Sequence, residues 1–159
     1  MSRAPGILVV GTGNSWRGDD SVGLEVAGAL RSRLPEQVRV LATEAEQSSL
    51  MDEWEGCDTV MIVDAVHSSA KPGTVHRVDL NAETVPHAVL QGSTHHFSLG
   101  DTIELARALK RLPAKALFLG IEGESFNPGE PLSPAVAAAV PAIVEEIARE
   151  VEALLQESS

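Results

Sequence analysis

Two adjacent carboxylates follow a glycine turn near the start of the chain. The turn is Gly11-Thr12-Gly13-Asn14, and the carboxylates are Asp19 and Asp20. A third acidic residue, Asp64, follows a short apolar segment, and His95 follows a loop-like stretch rich in polar residues. Two carboxylates and one imidazole, with coordination positions left open, suit zinc or a similar divalent ion. We therefore predict a metal site formed by Asp20, Asp64 and His95.

The glycine turn has two other interpretations, and both require residues that this chain lacks. A dinucleotide-binding fingerprint needs a third glycine where Trp16 stands. A phosphate loop needs Lys followed by Ser or Thr where the chain has Asp19-Asp20, and two carboxylates repel a phosphate. We therefore predict no nucleotide cofactor. Helix capping remains open as an alternative role, more for Asp19 than for Asp20, since acidic residues favour a helix N-terminus.

Apolar runs alternate with helical patterns along the whole chain. Strands are predicted at 7–10, 38–41, 59–63, 73–80 and 116–120, with 73–80 as an edge strand. Helices are predicted at 21–33, 49–54, 98–111 and 133–155, and Pro141 should kink or split the last one. This alternation predicts an α/β fold, a single three-layer domain over residues 1–159 with a mostly parallel sheet and helices on both faces. Ligands of such folds bind beyond the carboxyl ends of the strands, where Asp20, Asp64 and His95 are expected.

The charge and the cysteine count restrict the partners and the compartment. The formal net charge of −11 repels nucleic acid and anionic membranes, and it attracts a cation or a basic peptide segment. Cys57 is the single cysteine, so no disulfide forms within the chain. The sequence has no signal-peptide pattern and no apolar run of about 18 residues. We expect a cytoplasmic protein without nucleic-acid or membrane partners.

Several side chains have a plain structural interpretation. Cys57 is predicted to be a small buried hydrophobe. The histidines His67, His76 and His87 are predicted to be solvated. Trp16 is predicted to pack under the first helix, with contact to a peptide substrate as the alternative. Neither a complete Gly-x-Ser-x-Gly nucleophile elbow nor a His-Glu-x-x-His motif occurs, which is consistent with a metal-assisted reaction.

Seven segments, taken in order and spacing, resemble one family across nearly the whole chain. The family is the hydrogenase maturation endopeptidases, which trim the C-terminal extension from the large-subunit precursor of nickel-iron hydrogenases. The segments are Ile7-Leu8-Val9-Val10-Gly11-Thr12-Gly13-Asn14, Gly18-Asp19-Asp20-Ser21-Val22-Gly23, Ile62-Val63-Asp64-Ala65, Lys71-Pro72-Gly73-Thr74, Ser93-Thr94-His95-His96, Asn127-Pro128 and Leu132-Ser133-Pro134.

The resemblance implies a fold, a partner and a set of site residues. It implies a twisted five-stranded sheet between helices and an endopeptidase that acts on a hydrogenase large-subunit precursor. The metal contacts fall on Asp20, Asp64 and His95, and the metal is nickel already inserted in the precursor. Supporting or substrate-binding roles fall on Gly11, Gly13, Asn14, Asp19, Glu44 and His96.

One segment departs from the family pattern. The family carries an acidic residue, a glycine pair and a threonine after its second strand, whereas this chain has Glu44-Ala45-Glu46-Gln47-Ser48-Ser49. Glu44 keeps the acidic character, while Glu46 and Gln47 add bulk and charge. The departure keeps a second hypothesis open, a non-catalytic module or chaperone that docks on the metallated precursor or a related partner without cutting it.

Overall fold

The computed structural model of the chain describes residues 6–44, 50–81 and 99–157. Its strands are β1 (Ile7–Thr12), β2 (Arg39–Thr43), β3 (Thr59–Val66), β4 (Val75–Asp79) and β5 (Lys115–Glu122). Its α-helices are α1 (Val22–Arg31), α2 (Leu50–Glu53), α3 (Leu99–Ala108) and α4 (Pro134–Glu157), and a 3-10 helix spans Gly18–Ser21. In this part of the chain no helix is both long and apolar enough to cross a membrane.

The strands form one five-stranded sheet in the order β2-β1-β3-β5-β4. All neighbouring pairs are parallel except β4 with β5. The prediction that β4 is an edge strand is confirmed, and its antiparallel direction is an additional finding. Every residue of β1 and β3 is buried, which is typical of strands covered on both faces. The predicted fold class, a mostly parallel α/β sheet, is confirmed.

Each face of the sheet has its own apolar core. Alternate residues of the strands point to opposite faces, and helices cover both of them. On one face α1 and α4 pack on a core that includes Val9, Val26, Met61, Leu119 and Ile147. On the other face α2 and α3 pack on a core that includes Trp54, Ile62, Ile103 and Phe118.

Two predicted boundaries differ from the structure for identifiable reasons. β3 continues to Val66, so Asp64 lies inside the strand, near its carboxyl end, and pairs with Gly120 of β5. The last helix is a single element that passes through Pro141 without a break, so of the two predicted effects of Pro141, a kink or a split, the split is wrong. Pro141 and Ala137 are both exposed, so water can hydrogen-bond the carbonyl that the missing N–H leaves free.

The sheet order places a topological switch point between β1 and β3. The chain leaves β1 for β2 on one side and then returns to β3 on the other, so the connections diverge at their carboxyl ends. Helix α1 sits directly on this point. A Cβ atom at Gly11 would lie 2.0 Å from the Gly23 carbonyl oxygen, so strand and helix backbones are in contact there.

The contact between α1 and the sheet predicts opposite effects for two glycines of the same helix. A Cβ atom at Gly23 would lie 2.4 Å from the Thr12 carbonyl oxygen and 2.5 Å from that of Val63. Both are backbone atoms of the sheet, so Gly23→Ala should cost about 1–3 kcal/mol in the free energy of unfolding. Gly28 is exposed and has nothing within 4 Å, so Gly28→Ala should add about 0.5–1 kcal/mol. Urea unfolding of both variants checks this, and equal effects would contradict the close packing of α1.

Candidate active site

The loop after β1 is folded so that it fixes the position of Asp20. The Asn14 N–H donates to the Asp20 carbonyl oxygen at 3.1 Å, and the Asn14 side-chain oxygen accepts the Trp16 N–H at 2.9 Å. A Cβ atom at Gly13 would lie 2.1 Å from the same Asp20 oxygen. Gly13 and Asn14, for which the resemblance implies a supporting role, both contact the backbone of Asp20. The loop leads into the 3-10 helix that carries Asp19 and Asp20.

Asp20 and Asp64 come together at the switch point, and both are buried. Their exposed fractions are 3% and 1%. Asp64 accepts the Ala65 N–H at 2.8 Å, and the buried Thr12 hydroxyl also hydrogen-bonds this carboxylate. No ion pair joins Asp64 to a Lys, Arg or His of the described ranges. The site therefore combines two desolvated carboxylates without a basic side chain on Asp64.

The burial of Asp64 and its closeness to Asp20 change the pKa of its carboxyl. Burial raises the pKa of Asp64 well above its usual range, and the negative charge of Asp20 raises it further. The hydrogen bonds from Ala65 and Thr12 act in the opposite direction but do not compensate. A group strained in this way favours either a proton or a bound cation. The donor set and the burial both fit a divalent metal ion.

Asp19 has a different function from the helix cap that remained open in the sequence. The N-cap residues of the 3-10 helix and of α1 are Arg17 and Ser21, so Asp19 caps neither, and it is fully buried. Its carboxylate accepts four hydrogen bonds from a distant loop. The donors are Glu124 N at 2.7 Å, Ser125 N at 3.0 Å, Ser133 N at 2.7 Å and Ser133 Oγ at 2.8 Å. Asp19 therefore anchors the segment between β5 and α4 to the acidic turn.

The pKa of Asp19 is held below its usual value. Burial alone would raise it, but the hydrogen bonds from Ser133, Glu124 and Ser125 outweigh burial. Asp19 and Asp64 are both buried carboxylates, yet their pKa values shift in opposite directions. The surroundings of Asp19 favour its charged form, whereas those of Asp64 disfavour it. Of the two, Asp64 is the residue with unused capacity for a cation.

Glu44 supports the loop from the end of β2. Its Oε1 accepts the Ser15 N–H at 2.8 Å and the Ser15 hydroxyl at 3.1 Å. The acidic residue that begins the departing segment thus ties β2 to the glycine turn. The rest of that segment, residues 45–49, lies outside the described residues, and so do His87, His95 and His96. Within the described ranges, no group of three or more His, Cys, Asp or Glu side chains is placed to hold a metal ion.

Two aromatic side chains differ from their predicted environments. Trp16 is 67% exposed, so the prediction that it packs under the first helix is wrong. His76 is half-buried, and its Nε2 lies 3.0 Å from Oε1 of the buried Glu122, so it is not simply solvated. His67 is exposed, as predicted, and meets the Phe126 ring edge-on. Cys57 is only partly buried at the edge of the core.

Glu122 is a buried polar residue that the sequence did not indicate. It accepts the Ser68 N–H at 2.8 Å, the Ser68 hydroxyl at 2.5 Å and the contact from His76. Burial raises the pKa of Glu122, but these three interactions lower it by more, so the pKa lies below its usual value. Its position directly after the apolar run 116–121 was the one feature of the sequence that could have indicated its burial. The cluster fixes the loop between β3 and β4 next to the sheet edge.

The fold and the carboxylate pair define a class, an α/β protein whose candidate site lies at the switch point of a parallel sheet. A family model described as hydrogenase maturation protease matches residues 25–150. The Hydrogenase 2 maturation protease of Escherichia coli is 31% identical over 145 residues, which cover 89% of this chain and 87% of that protein. The chain belongs to the hydrogenase maturation protease family. The matched range includes Asp64 and His95 and begins shortly after Asp20.

Solved structures agree with this assignment. The [NiFe] hydrogenase maturation protease HycI from Thermococcus kodakarensis superposes with a TM-score of 0.74 at 26% identity, over 95% of this chain and 92% of that one. The hydrogenase maturating endopeptidase HybD from E. coli gives a TM-score of 0.72 at 23% identity, over 92% of both chains, and shares the fold.

Proposed function

We propose that this chain is a metal-dependent endopeptidase that removes the C-terminal extension of a nickel-iron hydrogenase large-subunit precursor after nickel insertion. Family membership supports the reaction and the kind of partner. The observation that carries the metal dependence is the buried pair of Asp20 and Asp64, in which Asp64 has no basic partner among the described residues. Two desolvated carboxylates at the carboxyl ends of the parallel strands, where ligands of such folds bind, favour a cation.

The nickel is part of the substrate in this proposal. It arrives in the precursor, and Asp20, Asp64 and His95 contribute oxygen and nitrogen ligands that suit nickel. Such a metal polarises a peptide carbonyl or lowers the pKa of a water molecule, so no nucleophilic side chain is needed. The chain's own residues position the two carboxylates, because Asn14 and Gly13 fix the Asp20 backbone and Thr12 hydrogen-bonds the Asp64 carboxylate.

Tail release from purified precursor tests the proposal directly. The chain is incubated with nickel-loaded and with nickel-free precursor, and the released peptide is measured by mass spectrometry. We expect release only from the loaded precursor, and loss of release with Asp20→Asn and with His95→Ala. Equal release from nickel-free precursor would contradict the metal dependence.

The departing segment favours a second candidate, a non-catalytic module that docks on the metallated precursor. Glu44 is fixed to Ser15 at the rim, and Glu46 and Gln47 follow where the family carries small residues. The same incubation separates the two candidates. Binding of the loaded precursor without any tail release by the wild-type chain would support docking and defeat the protease proposal.

A further inference from the structure

Trp16 is a large apolar side chain that the fold leaves in solvent beside the candidate active site. It is 67% exposed, whereas Trp54 is 1% exposed. Two other large apolar residues are exposed among the described ranges, and both belong to the region of α3, Leu105 and Leu109. Trp16 instead lies on the loop that leads into the turn carrying Asp20. Its exposure has no packing benefit for the core.

The backbone of Trp16 is held firmly although its ring is exposed. The Trp16 N–H donates to the Asn14 side chain at 2.9 Å, and the Trp16 carbonyl oxygen accepts the Gly129 N–H at 2.8 Å. Its Cζ2 atom is 3.9 Å from the position of a Cβ atom at Gly129, so the edge of the indole rests against that turn. Arg17 donates from Nε to the Phe126 carbonyl oxygen at 3.3 Å. Because the loop backbone is fixed in this way, it loses little conformational freedom when a ligand covers the ring.

Two glutamates are linked to Trp16 through the residues that contact its backbone. Glu44 binds Ser15, the residue before Trp16, and Glu130 follows Gly129, the residue beneath the ring. Glu130 accepts hydrogen bonds from Ser125 and Asn127, and both glutamates are exposed. Neither forms an ion pair with a Lys, Arg or His of the described part of the chain. The Trp16 backbone therefore lies next to two glutamates and one cation, Arg17, in a chain whose net charge is −11.

We propose that Trp16 is the docking residue for a basic side chain, lysine or arginine, in the C-terminal extension of the precursor. The inference rests on the proposed function. An indole face attracts a cation through its ring electrons, and the methylene stem of lysine or arginine covers apolar surface. Glu44 and Glu130 add charge complementarity, and the fixed backbone joins this surface to Asp20. Trp16 thus contributes to substrate choice, while the carboxylates carry out the chemistry.

A double-mutant cycle tests the contact between Trp16 and the basic side chain. One change is Trp16→Ala, and the other is a precursor in which the lysines and arginines of the extension are replaced by glutamine. Each change alone should raise KM for tail release about tenfold and leave kcat within about twofold. Because both changes remove the same contact, the combination should raise KM no further. Trp16→Phe should retain most of the affinity, and Leu109→Ala, an exposed residue of the α3 region, serves as the matched control.

Three results would overturn the proposal. KM unchanged in Trp16→Ala would remove Trp16 from the docking surface. A KM raised by Trp16→Ala but not by the neutralised extension would mean an apolar occupant. Independent, multiplying effects would mean that the two changes act at different places. If the wild-type chain releases no tail at all, the proposed function fails, and Kd from calorimetry with the same four combinations still tests the docking contact.

Discussion

Asp64→Asn is expected to abolish tail release while the fold is retained or stabilised. Loss of even a residue that only supports a metal ligand costs about 10–100-fold, so loss of Asp64 itself should cost at least about 100-fold in activity. The amide keeps an oxygen for the Ala65 N–H and presents an NH2 group to the Thr12 hydroxyl. It also removes a buried charge that Asp20 repels, so the free energy of unfolding at neutral pH should stay equal or rise by about 1 kcal/mol.

The pH dependence of stability gives a second measurement on Asp64. The folded state raises the pKa of this carboxyl, so folding favours its protonated form. In metal-free protein with chelator present, the Asp64 contribution should therefore favour the fold at low pH. It should fade as the pH rises from about 4, near the unfolded pKa, through the folded pKa. Asp64→Asn should lack this loss, which urea unfolding across the pH series detects.

The matched control for Asp64 is Asp58→Asn. Asp58 lies just before the same strand, is exposed and accepts the Gly6 N–H at the opposite end of the sheet. Its replacement should leave tail release unchanged. Full activity of Asp64→Asn, or equal loss of activity in both variants, would rule out Asp64 as a residue of the reaction.

Asp19→Asn is expected to destabilise the protein by about 2–6 kcal/mol, although the two side chains have the same shape, because two buried donors lose their acceptors. Four donors converge on the two carboxylate oxygens, and an amide offers one oxygen only. In either orientation its NH2 group faces a backbone N–H, and a buried donor left without an acceptor costs about 1–3 kcal/mol. Asp19 is fully buried, so the side chain cannot turn to solvent while the fold is intact.

Ser133→Ala provides the graded comparison for Asp19. It removes the hydroxyl donor and leaves the three backbone donors in place, so the loss should be about 1 kcal/mol. Urea unfolding at neutral pH measures both variants. A loss in Asp19→Asn no larger than that in Ser133→Ala would contradict the anchoring of the loop by the carboxylate.

The pH dependence for Asp19 has the opposite sign from that for Asp64. Its pKa is lowered in the folded state, so its stabilising contribution is present above the unfolded pKa of about 3.8. That contribution should be lost as the pH falls from about 4 through the folded pKa. In Asp19→Asn this part of the acid sensitivity should disappear, which separates it from the effect of Asp64.

Much of the fold was predictable because its signals are local. Continuous apolar runs identify β1 and β3, and the helical spacing after Ser21 identifies α1. Since parallel strands end at one rim, the order of these elements also placed Asp20 and Asp64 on that rim before any coordinates. The strand boundaries were predicted less accurately. β3 extends past Asp64 to Val66 because β5 continues to pair with it there.

The roles of individual polar residues required the tertiary structure. The donors to the Asp19 carboxylate are 105 to 114 residues away in the chain. Glu122 is hydrogen-bonded to Ser68 in the loop before β4 and to His76 in β4. The neighbouring sequence does not show that Asp19 binds a distant loop or that Asp20 lies close enough to Asp64 to raise its pKa.

The sequence by itself therefore determined the fold class, the family resemblance and the acidic character of the rim. Only the tertiary structure decided that the Asp19 carboxylate is fully hydrogen-bonded, that the pKa of Asp64 is raised, and that Trp16 faces solvent. The physical reason is that periodicity and turn chemistry act over a few residues. Desolvation and hydrogen-bond satisfaction depend instead on every chain segment that packs around a group.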